Sequence, residues 1–233
     1  MPRTSPRTSK SSSRRSASGG KLSPRTKVVW GALAGSMTIV AGLLLLVDGQ
    51  GAVRADGRSL QPMVGIGAST SIESIFRTTA ELDRGRWQAI VIHHSGARGE
   101  TPASLEARHL AANLNGLGYH FLVGDGSRMR EGEIHVGYRW LRQEPGAHVA
   151  GPDAQAWNQA SIGICLMGDG DRQAFGHEQM RRLAQLVVTL ARELDIPPDR
   201  VVLHRDLVGV SSPGRLFPEA EFRREVARLL ANG

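Results

Sequence analysis

The chain of 233 residues is 40% hydrophobic and 22% charged, which suits one globular domain with appendages and excludes a wholly disordered protein. Its formal net charge of +7 arises at the N-terminus, because residues 1–27 hold eight of the 29 basic side chains and none of the 22 acidic ones. The near-neutral remainder argues against nucleic acid as a partner, since counterion release needs a basic surface on the contacting domain. The single cysteine, Cys165, excludes an internal disulfide.

The first 47 residues divide into a polar segment and an apolar one. Residues 1–27 are rich in Ser, Pro, Arg and Lys, which predicts a disordered basic cytoplasmic tail. Val28–Val47 has 20 residues without a charge, enough for a helix to cross a hydrocarbon core of roughly 30 Å. Because the basic cluster comes before it, the positive-inside rule predicts a single-pass signal anchor with everything that follows outside the cytoplasm, periplasmic or facing the cell wall.

Two other interpretations of Val28–Val47 stay open on the sequence. A cleaved signal peptide is the stronger, since Val53-Arg54-Ala55 resembles a cleavage site, although the apolar run exceeds the usual length of roughly 7–15 residues. A buried core helix is the weaker, because such a helix rarely lacks a polar face. Residues 48–75 are predicted to be a linker to a domain that spans residues 76–233.

Strand and helix patterns alternate through this domain, which predicts an α/β fold. The predicted strands are short apolar runs: Ala89–Ile92, Tyr119–Val123, Ser161–Met167 and Val201–Leu203. The predicted helices are Ser104–Leu114, His177–Leu194 and one that begins at Glu219. His93 and His94 end one strand and His204 follows another. Strand ends of α/β sheets collect ligands, so these histidines are candidates for one shared metal.

Several segments around these histidines follow one another in a recognisable order. They are Ile90-Val91-Ile92-His93-His94-Ser95, Gly118-Tyr119-His120-Phe121, Gly146-Ala147-His148 with Asn158, Ser161-Ile162-Gly163-Ile164, His204-Arg205-Asp206 and Pro213-Gly214-Arg215-Leu216-Phe217-Pro218. Together they resemble the N-acetylmuramoyl-L-alanine amidases of the type shared by phage lysozyme-like amidases and peptidoglycan recognition proteins. The resemblance implies a mixed central β-sheet flanked by helices. It also implies a groove for the peptide stem of peptidoglycan over a zinc ion, and cleavage of the amide that joins the muramoyl lactyl group to L-alanine.

The resemblance also implies roles for individual residues. His93, His204 and Ser212 occupy the positions of the three zinc ligands. Tyr119 occupies the position of a catalytic tyrosine that stabilises the oxyanion or positions the water, a role that suits a phenol donor. The predicted substrate-binding or groove residues are His94, His120, His148 and Asn158. The implied cofactor is Zn²⁺ and the implied partner is peptidoglycan or its muropeptides.

The third ligand position departs from the family pattern. Family members carry Cys or Asp where this chain has Ser212, and a neutral hydroxyl is not a usual zinc donor. Val210 stands where the family often places Lys or Thr. Two hypotheses therefore remain: a zinc amidase, and a non-catalytic peptidoglycan-binding module that uses the same groove. Cys165, in a strand beside the site, is a further candidate for a substitute ligand.

Overall fold

The computed structural model describes residues 64–66 and 71–232, which belong to one unit that spans Gln61–Gly233. The predicted basic tail at 1–27 and the predicted membrane anchor at 28–47 lie outside the described residues. Among those that are described, no helix is both long and apolar enough to cross a bilayer.

A six-stranded mixed sheet forms the centre of the domain. Its strands are β1 (Val64–Ile66), β2 (Ala89–His94), β3 (Phe121–Val123), β4 (Ile134–Val136), β5 (Ser161–Leu166) and β6 (Val201–Leu203), in the spatial order β1-β4-β3-β5-β2-β6. The pairs β3–β5, β5–β2 and β2–β6 are parallel, whereas β1–β4 and β4–β3 are antiparallel. The α/β prediction and the mixed sheet implied by the resemblance are confirmed.

Helices flank this sheet. They are α1 (Pro102–Ala111), α2 (Tyr138–Leu141), α3 (Ala154–Ala160), α4 (His177–Glu193), α5 (His204–Leu207) and α6 (Glu219–Ala231), with 3₁₀ turns at Ile72–Phe76 and Pro198–Arg200. The side chain of Thr101 accepts a hydrogen bond from the Ser104 N–H and so caps α1, with Pro102 at the first helical position. Each of the three predicted helices is present within a few residues of its predicted bounds.

The two faces of the sheet bury different side chains, because neighbouring residues of a strand point to opposite faces. In β2, Ile90 and Ile92 face the main core, which also contains the apolar stripes of α4 and α6. The opposite face carries a smaller apolar cluster that contains Leu105 of α1 and Cys165 of β5. His93 lies one residue after Ile92 and is paired in register with Cys165, so its side chain lies on this second face.

The parallel strands bring the histidines together. β2 lies between β5 and β6, and Ile92 pairs in register with Leu203. His93 and His204 are the next residues along their chains, so both leave the sheet at the same edge and the same level. This is the edge at which parallel sheets usually bind ligands.

The folded structure also includes residues N-terminal to the predicted domain boundary at 76. β1 pairs with β4, and the side chain of Ile75 is 1% exposed and packs in the main core. Both lie within 48–75, the predicted linker. Three-residue strands such as β1 and β4 carry too few residues for their alternation to stand out in the sequence, and β4 was not predicted.

Candidate active site

Two imidazole rings form the centre of the candidate site. The centroids of the His93 and His204 rings are 4.3 Å apart, with an angle of 45° between the ring planes. Nδ1 of His93 and Nε2 of His204 are both buried and find no hydrogen-bond partner among the described residues. Buried polar atoms are normally paired, so two unpaired imidazole nitrogens on adjacent rings indicate a place where another group binds.

Local structure fixes the backbone on which His204 sits. Asp206 accepts a hydrogen bond from the Leu203 N–H at 3.0 Å, which holds the turn from β6 into α5. The Arg205 guanidinium donates to the carbonyl of Gly214 at 3.0 Å and pairs with Glu219. The His204-Arg205-Asp206 segment therefore places the imidazole, anchors the loop that follows α5 and closes the turn.

Ser212 lies between the backbones that follow the two histidines. Its Oγ accepts a hydrogen bond from the His94 N–H at 3.2 Å, and its carbonyl accepts one from the Arg205 N–H at 2.8 Å. The residue is 8% exposed. The structure thus brings Ser212 to the same edge of the sheet as His93 and His204.

Tyr119 lies on the other side of His93. The centroids of the two rings are 5.1 Å apart. Burial raises the pKa of Tyr119 well above its usual value, and the nearby Cys165 adds to the rise. The hydroxyl therefore keeps its proton at neutral pH and can donate a hydrogen bond.

The histidines of the site are held in their neutral form. Burial lowers the pKa of His93 well below its usual value, and His148, His204 and His94 lower it further. Burial is also the main reason that the pKa of His204 is lowered, and the proximity of His94 lowers it further. A neutral imidazole has a lone pair on one nitrogen, which is the form that binds a metal ion.

His148 packs directly against His93. The distance between His93 Nε2 and His148 Nδ1 is 3.1 Å, and His148 Nε2 lies 3.4 Å from the Ser161 carbonyl. The sequence placed His148 among the groove residues, but it is only 7% exposed. Asn158, predicted for the same role, accepts hydrogen bonds from the N–H groups of His148 and Val149 and donates to the Val149 carbonyl. Its side-chain amide therefore holds the segment that carries His148.

His120 requires a correction. The sequence placed it in the substrate groove, whereas the structure buries it completely, at 0% exposure. Its Nε2 is 3.1 Å from the Glu144 carbonyl, and its Nδ1 accepts a hydrogen bond from the Gly163 N–H. Both nitrogens are occupied by backbone groups, so the ring links three segments of chain and leaves no polar atom for a substrate.

His94 is half-buried and lies beside a loop that the sequence did not single out. The Gly170 N–H donates to His94 Nδ1 at 2.9 Å, and the Gly170 carbonyl accepts from the Leu216 N–H. Asp171 accepts hydrogen bonds from the Ser211 hydroxyl and from the Arg215 N–H. The loop 168–171 thus joins His94 to the loop that carries Ser212. The Gly168-Asp169-Gly170-Asp171 run, which begins two residues after the end of β5, was the signal that could have identified it.

The side chains fit a zinc site at two positions out of three. The unpaired nitrogens of His93 and His204 suit zinc, but Ser212 offers a neutral oxygen where zinc sites normally have a thiolate, imidazole or carboxylate. Among residues 71–232, no three His, Cys, Asp or Glu side chains are grouped closely enough to hold a metal ion.

Cys165 does not replace the missing third ligand. It is fully buried, burial raises the pKa of its thiol, and the thiol therefore stays protonated. Val210, which has no donor group, is 46% exposed.

Comparison with known proteins identifies a family. The model of the family described as N-acetylmuramoyl-L-alanine amidase matches residues 83–215. No curated protein sequence matches the chain. Solved structures with a similar fold include an endolysin N-acetylmuramoyl-L-alanine amidase from Clostridium intestinale, 23% identical with a TM-score of 0.49, which covers 64% of this chain and 90% of its own. A second is bumblebee PGRP-SA, 23% identical with a TM-score of 0.45, where the match covers 58% of this chain and 80% of that protein. A third is Drosophila PGRP-LB, 25% identical with a TM-score of 0.42, where the match covers 58% of this chain and 82% of that protein.

Proposed function

Because the chain belongs to the N-acetylmuramoyl-L-alanine amidase family, we propose that it hydrolyses the amide between N-acetylmuramic acid and the L-alanine of the peptidoglycan stem. The observation that carries this proposal is the pair of adjacent imidazole rings of His93 and His204, whose buried nitrogens Nδ1 and Nε2 are unpaired. A protein that only binds peptidoglycan has no chemical need for such a pair.

We propose that His93 and His204 hold Zn²⁺, with Ser212 beside them. When bound, zinc supplies a Lewis acid that polarises the amide carbonyl and lowers the pKa of a water molecule. The Ser212 carbonyl and hydroxyl keep the loop against the backbones of Arg205 and His94, so this residue aligns the two histidine-bearing segments whether or not its oxygen is a ligand.

Tyr119 is the proposed hydrogen-bond donor to the reacting carbonyl oxygen. Its ring contacts that of His93, and its pKa is raised, so it is a protonated phenol next to the place where negative charge develops. A donor that is already in place stabilises this charge without reorganisation. His94, which is more exposed than its neighbour His93, is proposed to contact the stem peptide at the rim of the groove.

A specific observation favours a second candidate, a non-catalytic peptidoglycan-binding module. Ser212 removes the negative charge that a third Cys or Asp ligand would supply, and Val210 offers no hydrogen bond to a reacting oxygen. Both changes would weaken a metal site and the chemistry without preventing the domain from binding peptidoglycan. This candidate predicts binding to peptidoglycan without zinc and without cleavage.

Zinc content and sacculus binding distinguish the two candidates. The full chain, purified in detergent, is analysed for bound zinc and for sedimentation with isolated sacculi, beside the variants His204→Ala and His177→Ala. His177 is an exposed histidine at the start of α4 and serves as the matched control. The amidase predicts stoichiometric zinc that is lost in His204→Ala alone. Sacculus binding without zinc in the unmodified chain would instead favour the binding module.

We further propose that residues 28–47 anchor the chain in a membrane with the domain outside the cytoplasm. The basic residues before this segment support the orientation through the positive-inside rule, and the proposed substrate lies on that side.

A further inference from the structure

We infer that His148 is a positioning residue that fixes the tautomer of His93, leaving the lone pair of His93 on the buried Nδ1. The inference deepens the proposed function, since the lone pair is what a metal ligand must supply. A series of polar contacts runs from a strand carbonyl through the two imidazole rings.

The series of contacts begins at the carbonyl of Ser161, which is the first residue of β5. A carbonyl oxygen can only accept a hydrogen bond, so His148 Nε2, at 3.4 Å, has to carry the proton. His148 is 7% exposed, and its two nitrogens face the Ser161 carbonyl and the His93 ring, neither of which carries a negative charge, so burial favours the neutral ring with a single N–H. Nδ1 of His148 is consequently an acceptor.

The next contact, between His148 and His93, determines which nitrogen of His93 carries the proton. Its Nε2 lies 3.1 Å from His148 Nδ1, and because that atom accepts, His93 Nε2 has to donate. A neutral His93 that is protonated at Nε2 has its lone pair on Nδ1. This is the buried atom that has no partner among the described residues. A metal-binding histidine commonly donates its other N–H to a fixed acceptor, and here the acceptor is a second histidine.

The packing prevents His148 from turning away. Gly146 and Gly163 lie on the ring of His148, and a Cβ added at either position would overlap its Cδ2. Asn158 accepts the backbone N–H of His148 at 2.9 Å, which fixes the main chain below the ring. The two glycines and Asn158 therefore form a seat for one imidazole in one orientation. This seat gives a physical reason for glycine in both the Gly146-Ala147-His148 and the Ser161-Ile162-Gly163 segments.

The same seat excludes His148 as the missing third metal ligand. Both of its nitrogens face protein atoms, one His93 and the other Ser161. The residue acts through His93 and does not touch the reacting groups.

A matched pair of variants tests the inference. Asn and Leu have nearly the same shape, but Asn places an oxygen close to the position of His Nδ1 and Leu has no acceptor. His148→Asn is expected to keep the tautomer of His93, whereas His148→Leu leaves its Nε2–H unpaired. The experiment uses the full chain in detergent, labelled with ¹⁵N at histidine and free of metal, with NMR detection of the His93 ring and a separate titration with Zn²⁺.

The expected spectrum of the unmodified chain shows His93 protonated at Nε2 and unprotonated at Nδ1, and His148→Asn preserves it. In His148→Leu, the Nε2–H signal exchanges faster with water and the Nδ1–H tautomer appears. Zinc affinity falls about 10- to 100-fold in His148→Leu, the usual effect of losing such a partner, and is largely retained in His148→Asn. Equal effects of both variants on the spectrum and on zinc affinity would overturn the positioning role.

A second result would also overturn the inference, namely a proton on Nδ1 of His93 in the unmodified, metal-free chain. Because this readout needs no zinc, it is independent of the proposed function. If the chain binds no zinc, the amidase proposal fails while the spectrum still decides the role of His148.

Discussion

The rings of His93 and His204 lie 4.3 Å apart between centroids, at the ends of two neighbouring parallel strands. The register that pairs Ile92 with Leu203 produces this contact, since each histidine is the next residue of its chain. The unpaired nitrogens of this pair are the basis of the proposed metal site, and Ser212 is the proposed third position of that site.

Restoring an anionic ligand at position 212 is expected to strengthen the site. Ser212→Asp adds a carboxylate that zinc binds well and that can still accept the His94 N–H. Zinc affinity measured by calorimetry should rise at least tenfold, and any amidase activity should rise with it. Ser212→Asn, which has the same shape without the charge, is the control. Similar affinities for the two variants would show that charge at this position does not limit metal binding.

The loop at Gly170 is expected to be intolerant of a side chain. A Cβ at Gly170 would overlap the Pro213 carbonyl, next to Ser212, whereas a Cβ at Gly209 meets nothing within 4 Å. Gly170→Ala should lower the free energy of unfolding by about 1–3 kcal/mol, the usual cost of overpacking, and should weaken zinc binding by displacing the 212 loop. Denaturant unfolding of Gly170→Ala and Gly209→Ala measures the difference. A Gly170→Ala variant as stable as Gly209→Ala would contradict the contact.

Part of this site was accessible from the sequence and part was not. Strand ends that carry His93 and His204 mark a ligand-binding edge, because parallel strands end together. Histidine identity alone does not reveal which ring faces a groove: His120 was placed with the substrate, but backbone groups occupy both of its nitrogens. The contact of Gly170 with His94 was not predictable, since it depends on how two loops meet, and no periodicity records that.

Buried neutral histidines should make the domain sensitive to acid. His135 on β4 is 4% exposed, and burial lowers its pKa from 6.5 to about 4. Between these values the unfolded chain binds a proton at His135 that the folded chain does not, so stability is fully present above pH 6.5 and falls as the pH drops towards 4. This one residue contributes a slope of about 1.4 kcal/mol per pH unit.

The variant His135→Leu is therefore expected to have a smaller slope of the free energy of unfolding against pH in that range. The slope should fall by the contribution of about one proton. Denaturant unfolding at several pH values measures it, with the exposed His177→Leu as the control. An unchanged slope in His135→Leu would contradict this, since it would mean that the folded and unfolded chains protonate His135 over the same pH range.

The proposed topology has its own test. Residues 28–47 are expected to anchor the chain with the domain outside, so protease added to the outer face of intact membranes should digest the domain. A cytoplasmic marker protein serves as the control for membrane integrity. Complete protection of the domain would contradict this orientation, and recovery of a domain free of the membrane would indicate a cleaved signal peptide.

The position of the cleaved bond is the most direct test of the proposed amidase activity. Purified full chain is incubated with sacculi at saturating Zn²⁺, and the released products are analysed by mass spectrometry, with His204→Ala and His177→Ala alongside. The unmodified chain and His177→Ala, but not His204→Ala, are expected to release stem peptides with a free N-terminal L-alanine and to leave glycan strands with a free lactyl carboxylate. Intact sacculi after incubation with zinc-loaded protein, or identical release by His204→Ala, would contradict it.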